Sequence, residues 1–366
     1  MKKKLALLLV GALTAMSLVA CGGGEAATEE ATKPAVEETA ETVEETTETV
    51  TETTEEATTE EVVAADPVEL NVAYMPNYGS LWAITNAIEG GFMADENITV
   101  TLHEFPDGPS IIDAMEAGDI DLGYIGQGAH KHAVNGRVNI FALSHISNGD
   151  ALVTRDGIDT VEGLAGMKVA YVAESSSENI LVNTLTRAGM TMDDIVAVPM
   201  EADAIVDAMI NGDVNAAAIW SPHSLEILDG VEGGVKLADN MTFADETVSL
   251  SSWIVTPDYV EANRDVVVRF TRALFKAMDA AAWDNQDVTA EYVANIIGAD
   301  AEAIYQQRGD AQWMTGKEIS SAAADGTIAG YYTLQKQAFI NAGAVEVDPA
   351  VEEYVLIDVM KEAGQY

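Results

Sequence analysis

The sequence predicts an α/β protein of two similar lobes, and three observations carry that prediction. The first is the stretch 105–136, which reads strand end, helix, strand, helix in little more than thirty residues, the signature of a parallel sheet. The second is a repeat: AMEAGDIDLGYIG at 114–126 and AMINGDVNAAAIW at 208–220 share Ala-Met-x-x-Gly-Asp-aliphatic followed by an apolar strand. The third is size, since residues 66–366 are too many for one simple core and suit two lobes.

The amino terminus reads as an address. Met1-Lys2-Lys3-Lys4 is basic, residues 5–15 are apolar, and Leu18-Val19-Ala20 leads into Cys21. The apolar run is too short and wrongly flanked for a membrane span. Residues 1–21 look like a lipoprotein signal peptide with its lipobox, Cys21 becoming the lipidated mature terminus. Cys21 is the single cysteine of the chain, so no disulfide and no thiolate chemistry is available. The expected location is the extracytoplasmic face of the cell membrane, at the cell surface or in a periplasm, held by lipid alone. Residues 22–66 are a Glu/Thr-rich tether: the tract 25–65 holds 14 Glu, one Lys and no aromatic residue, too little apolar surface to offset its ordering entropy.

Residues 66–366 carry 47 acidic and 14 basic side chains, a net charge of −33, which argues against nucleic acid or an anionic membrane surface as partner. Along this part, 69–74 alternates as a strand and runs into Met75-Pro76-Asn77-Tyr78-Gly79-Ser80. A helix over 82–88 follows, with Ser80 as its N-cap. Strand 98–102 precedes Pro106, Gly108 and Pro109, which force a turn. In the helix beyond it, Ile111, Ile112 and Met115 face one way and Asp113 and Glu116 the other. Gly118 ends that helix as a left-handed cap. Strand 120–125 closes on Gly126-Gln127-Gly128, a glycine-lined end opening onto a helix N-terminus. Strands at 138–143 and 151–153 complete the first lobe.

The second lobe opens with a helical turn at 160–166 and strand 168–172. Glu174-Ser175-Ser176-Ser177-Glu178 comes next, three hydroxyls at a strand-to-helix junction. One of them is an N-cap, which leaves at least one to point elsewhere. Helix 179–187, strand 195–199, helix 202–210 and strand 216–220 follow, ending on Trp220-Ser221-Pro222-His223. Strand 250–255 carries the chain back, and helices are expected over 265–283, 289–297, 301–308, 317–324 and 331–342. The resulting division is 67–154 and 254–366 for lobe 1 and 155–253 for lobe 2. Two crossing segments, near 153–157 and 252–256, make a hinge.

A family resemblance rests on Phe105…Gly108, on Ala114-Met115-Glu116-Ala117-Gly118-Asp119-Ile120-Asp121-x-Gly123-x-x-Gly126, and on Gly163-Leu164-x-Gly166-x-Lys168-Val169-Ala170. Ala188-Gly189-Met190, Asp193-Asp194 and Ala218-Ile219-Trp220-x-Pro222 complete it. The region 68–343 resembles the substrate-binding proteins of the nitrate/sulfonate/taurine/bicarbonate ABC importers, a family that also holds binders of thiamine-pyrimidine precursors. The resemblance implies a type II periplasmic-binding-protein fold with a helical C-terminal region. It departs from the family at Gly126-Gln127-Gly128-Ala129, where Gly-Asp-x-Pro is common, and at Glu174-Ser175-Ser176, where Gly-Ser is common. Both departures leave the ligand open.

The implied function is a solute-binding lipoprotein of an ABC importer, monomeric and without cofactor, that closes on a small organic molecule or anion and delivers it to a permease. A sensor or adhesion lipoprotein that keeps the receptor fold without a transporter is the alternative. Candidate ligand-binding residues are Tyr78, Gly79, Asp107, Gly126 and Gln127 from lobe 1, with Ser175, Ser176, Trp220 and Ser221 from lobe 2. Enzymes on this scaffold use cysteine or histidine clusters, and no catalytic residue is expected here. His130, His132, His145 and His223 read as scattered surface histidines, and no metal site is expected. Loop acids Asp107, Asp150, Glu174 and Glu178 outnumber the bases Lys131 and Arg155. With Tyr78, Tyr124 and Trp220 as walls, and Trp82 and Trp253 as either wall or core, they favour a neutral, zwitterionic or heteroaromatic solute.

Overall fold

The computed structural model describes residues 65–244 and 246–366. The signal peptide, Cys21 and the tether up to residue 64 lie outside the described residues. Eleven strands form two sheets: β1 Val68–Tyr74, β2 Ile98–Glu104, β3 Leu122–Ile125, β4 Asn139–Ser147, β5 Asp150–Thr154, β6 Lys168–Tyr171, β7 Val196–Pro199, β8 Ala216–Trp220, β9 Val235–Asp239, β10 Leu250–Val255 and β11 Ala311–Trp313. The first sheet runs β11-β4-β10-β3-β1-β2 and the second β7-β6-β8-β5-β9. In the first, β1 pairs in parallel with β2 and β3, whereas β10 and β11 are antiparallel to their neighbours. In the second, β6 is parallel to β7 and β8, and β5 is antiparallel to β8 and β9.

The strands alternate as a two-sided sheet requires. Ala151, Val153, Ala217 and Ile219 enter one apolar cluster of the second sheet, and Leu152, Ala216 and Ala218 enter the opposite one. The first sheet has a larger core, shared with helix Tyr78–Glu89 and the long helix Pro257–Ala281 that packs on it. Trp82 and Trp253, at 1% and 0% exposure, belong to this core.

Both halves of the repeat fold alike. Helices Gly108–Ala117 and Ala202–Asn211 end on Gly118 and Gly212, at φ 83° and 82°, where only glycine is unstrained. In each, the amide after the glycine bonds back into the last turn: Asp119 to the Ala114 carbonyl at 3.1 Å and Asp213 to that of Ala208 at 2.9 Å.

Two expectations are corrected. The strand at 151–153, assigned to the first lobe, is β5 of the second sheet and pairs with β8, Ala151 opposite Ile219. Ser147-Asn148-Gly149-Asp150 has the look of a hairpin turn, yet it transfers the chain between sheets. The crossings therefore fall at residues 148–149 and in the stretch 244–249, not near 153–157 and 252–256. The helix at 82–88 begins four residues earlier, at Tyr78, and its N-cap is Asn77, whose side chain accepts from the Ser80 amide at 2.8 Å. The Ser80 hydroxyl turns back to accept from the Met75 amide at 3.0 Å. Among the described residues no helix is long and apolar enough to cross a membrane.

Candidate functional site

In open α/β sheets ligands lie beyond the carboxyl ends of the strands, and here two such ends face each other. From the first sheet, β1 delivers Met75 and Asn77, and β3 delivers Gly126 and Gln127. From the second, β6 leads to Ser175 and Ser176, and β8 ends on Trp220 and Ser221. Because β5 runs antiparallel, its first residue, Asp150, lies opposite Trp220 at that same end. Together these residues line a cavity of about 70 Å³ that opens to solvent.

Seven of the nine residues named from sequence line this cavity: Gly79, Gly126, Gln127, Ser175, Ser176, Trp220 and Ser221. Tyr78 and Asp107 do not. The Tyr78 ring is buried edge-on against Trp313 at 5.1 Å, and its amide donates to Gln307 Oε1 at 3.0 Å. Asp107 caps helix Gly108–Ala117, accepting from the amide and hydroxyl of Ser110 at 2.8 and 2.6 Å. The three serines divide their work. Ser175 Oγ accepts from the Ser177 amide and donates to the Val172 carbonyl. Ser177 Oγ donates to the Ala218 carbonyl, and Ser176 is left at the cavity wall.

Sequence reasoning missed a second group of lining residues: His145 on β4, and Gln307, Asp310 and Trp313 from the turn and strand at 307–313. His145 is no surface histidine. It is 3% exposed, its ring stands 6.2 Å from Tyr124 and 4.8 Å from Trp313, and burial lowers its pKa to about 3, so it is neutral. Its Nδ1 is 3.1 Å from Ser144 Oγ, which also accepts from Trp82 Nε1 at 3.0 Å. His130 and His132 are buried too, His130 against the helix Thr327–Asn341, its Nδ1 2.7 Å from Gln335 Oε1 and its ring edge-on to Tyr332 at 5.9 Å.

The cavity's charge is one-sided. Asp150 is 3% exposed and is held by Asn240, which donates Nδ2 to the carboxylate at 2.9 Å and accepts the Asp150 amide at 2.9 Å. Burial pushes its pKa up, against the pull of Ser176 and Asn240. Asp310 is pushed up to about 6, chiefly by burial and also by Asp150, with Ser221 and Lys236 working the other way. Neither Lys nor Arg lines the cavity. Lys131 pairs with Glu178 at 3.7 Å, and Arg155 donates to the Met209 carbonyl, so both expected bases are engaged elsewhere. Of the buried side-chain atoms at the cavity, Gln307 Nε2 has no hydrogen-bond partner, whereas Ser221 Oγ and Asp310 lie near enough for Ser221 to lower the Asp310 pKa.

Around this cavity the lobes touch. Gly128 lies against the backbone of Ser175 and Ser176, the ion pair of Lys131 with Glu178 at 3.7 Å bridges the seam, and His132, its pKa lowered by burial, stands 3.5 Å from Glu174. Glu174 holds a left-handed φ of 58°. A glycine is the usual occupant of that conformation.

Residues 80–287 match the family described as NMT1/THI5 like. The chain belongs to that family. A protein of Brucella abortus (strain 2308) assigned as a binding protein is 25% identical over 297 residues, covering 81% of this chain and 93% of its own. The taurine-binding periplasmic protein of Escherichia coli (strain K12) is 27% identical over 217 residues, 58% of this chain and 66% of that one. The alkanesulfonate-binding protein SsuA from Xanthomonas axonopodis pv. citri, solved bound to MOPS, superposes with a TM-score of 0.62 over 80% of this chain and 99% of its own, at 20% identity. The two-lobed architecture is thus the periplasmic-binding-protein fold, and the resemblance to the nitrate/sulfonate/taurine family stands.

Proposed function

We propose that the chain is the extracytoplasmic solute-binding lipoprotein of an ABC importer, a carrier and not a catalyst, which closes on a small molecule and presents it to a permease. One observation carries this reading: the cavity lies between two sheets joined by two crossings, both lobes line it, and Gln307 Nε2 is buried at it without a partner. Unpaired buried polar groups are costly unless something completes them, and a solute held from both sides does so while favouring the closed form. Gly79, Gly126, Gln127, Ser175, Ser176, Trp220 and Ser221 are the sequence-derived residues that would meet it. The names of the relatives, binding proteins all, support the same reading.

The test is native mass spectrometry of the full chain purified from cells without denaturation. A stoichiometric small molecule released on unfolding supports a carrier. Its absence, together with no change in radius of gyration across a metabolite library, overturns it. Anchoring by Cys21 is tested separately: Cys21→Ser is expected to release the protein from membranes or leave its precursor uncleaved. A mutant that still partitions with membranes places the anchor elsewhere.

A further inference from the structure

The cavity wall is acidic, aromatic and free of cations, a combination that speaks to the class of solute and rests on the carrier reading above. We propose that the solute carries a protonated nitrogen on a flat apolar body, the cationic end set between Asp150 and Asp310 and the body against Tyr124 and Trp313. Asp150, which is buried, and Asp310, which is half-buried, line the same cavity, a Cβ built on Gly149 would stand 3.4 Å from Asp310 Cβ, and among the described residues no Lys or Arg lines the space around them. Leaving such charges uncompensated in a low-dielectric site is expensive, and a bound cation removes the expense for both at once.

The neighbouring cations are committed elsewhere. Lys236 pairs with Asp239 at 2.9 Å, and the Arg308 guanidinium stacks on the Tyr305 ring at 3.8 Å. An anion would have to turn to helix N-termini, the usual backbone sites for it. Those termini are taken by the chain's own side chains: Asn77 on the Ser80 amide, Gln307 on the Tyr78 amide, Asp107 on that of Ser110 and Ser175 on that of Ser177. An independent observation marks the acidic pair as a ligand site: Gln307, at 3% exposure, lines the same cavity with its Nε2 unpartnered. Gln307 Nε2 is a donor, so the solute also offers an acceptor. The rings of Tyr124 and Trp313 supply flat surfaces, where cation–π contact adds to stacking.

The experiment is a thermal-shift panel on the full-length protein at pH 7.5 with benzylamine, benzamidine and 4-aminopyridine as cations, butanesulfonate and nitrate as anions, and taurine as a zwitterion. At least one cation is expected to raise Tm, with affinity falling roughly thirtyfold in Asp310→Asn and in Asp150→Asn. Each variant's unliganded Tm and circular dichroism establish that it folds. A Tm rise with butanesulfonate or nitrate, or one with taurine that survives Asp310→Asn, overturns the cation while leaving the carrier reading intact. Silence from every compound overturns the cation, and the carrier reading then stands or falls on the mass-spectrometric test above.

Discussion

Gly128 of the first lobe lies so close to Ser175 of the second that a Cβ built on it would stand 1.8 Å from the Ser175 carbonyl carbon and 2.3 Å from the Ser176 amide. This contact joins the loop after β3 to the cap of helix Ser176–Arg187, and it exists only while the lobes are together. Gly128→Ala is therefore expected to hold them apart. Overpacking of this kind costs about 1–3 kcal/mol, so solute affinity should fall about tenfold or more. Small-angle scattering with saturating solute should show contraction in the wild type and little in the variant. Equal contraction in both would mean that the loop yields.

Asp310 gives the cavity a pH dependence of known sign. Its folded pKa of about 6 lies above the unfolded value of about 3.9, so the stability it contributes is complete below about pH 4 and lost as pH rises through about 6. The charged groups facing it are Asp150, which deepens the effect, and Lys236, which relieves it. Urea unfolding across pH 4–7 should show Asp310→Asn gaining on the wild type by on the order of 2 kcal/mol over that range. An unchanged difference would place the carboxylate in water. A cationic solute should bind more tightly as pH rises through the same window.

Ser144→Ala removes the acceptor from the Trp82 indole N–H, which is buried with it, and takes the partner from His145 Nδ1. Leaving a buried donor unpaired costs about 1–3 kcal/mol. The loss should be visible as a lower urea midpoint with an unchanged m-value. A variant as stable as the wild type would show that the pair is not worth its desolvation.

Glu174→Gly relieves a left-handed backbone that costs a non-glycine residue about 1 kcal/mol or more, and also removes the contact with His132 across the seam. Differential scanning calorimetry should show lobe stability held or raised by up to about 1 kcal/mol, offset in part by glycine's greater freedom when unfolded. Scattering should show an ensemble shifted toward open. A lowered Tm would assign Glu174 a role in holding its own lobe.

What the sequence made legible was local. The Ala-Met-x-x-Gly-Asp repeat announced two matching helix–turn–strand units, because a left-handed cap has a fixed residue preference at a fixed offset, and Gly118 and Gly212 both adopt it. Strand ends rich in Gly and Ser gave away Gly126, Gln127, Ser176 and Ser221 for the same reason. Asp310, Gln307 and Trp313 were hidden, since nothing near them in sequence names β4, the strand against which β11 lies. His145 was hidden by its type: a histidine amid apolar neighbours says nothing of whether it meets solvent, a core or a cavity. Tyr78 and Asp107 lie off the cavity, Tyr78 as the first residue of its helix with its ring on Trp313 and Asp107 as an N-cap, and in sequence a turn residue in either role has the same appearance as one that meets a ligand.

The attachment of the 307–313 segment has a consequence for how this protein can change. β11 is held to β4 by main-chain pairing at Ala311, Gln312 and Trp313, a ladder that asks little of the side chains it carries. Beyond its inward-facing Trp313, the segment is an edge piece resting on a finished sheet, with Asp310 and Gln307 in the turn just before it. Under the proposed carrier function, solute preference is therefore open to change at a few positions of one short segment, far along the chain from the glycine-rich loops, without rebuilding either sheet.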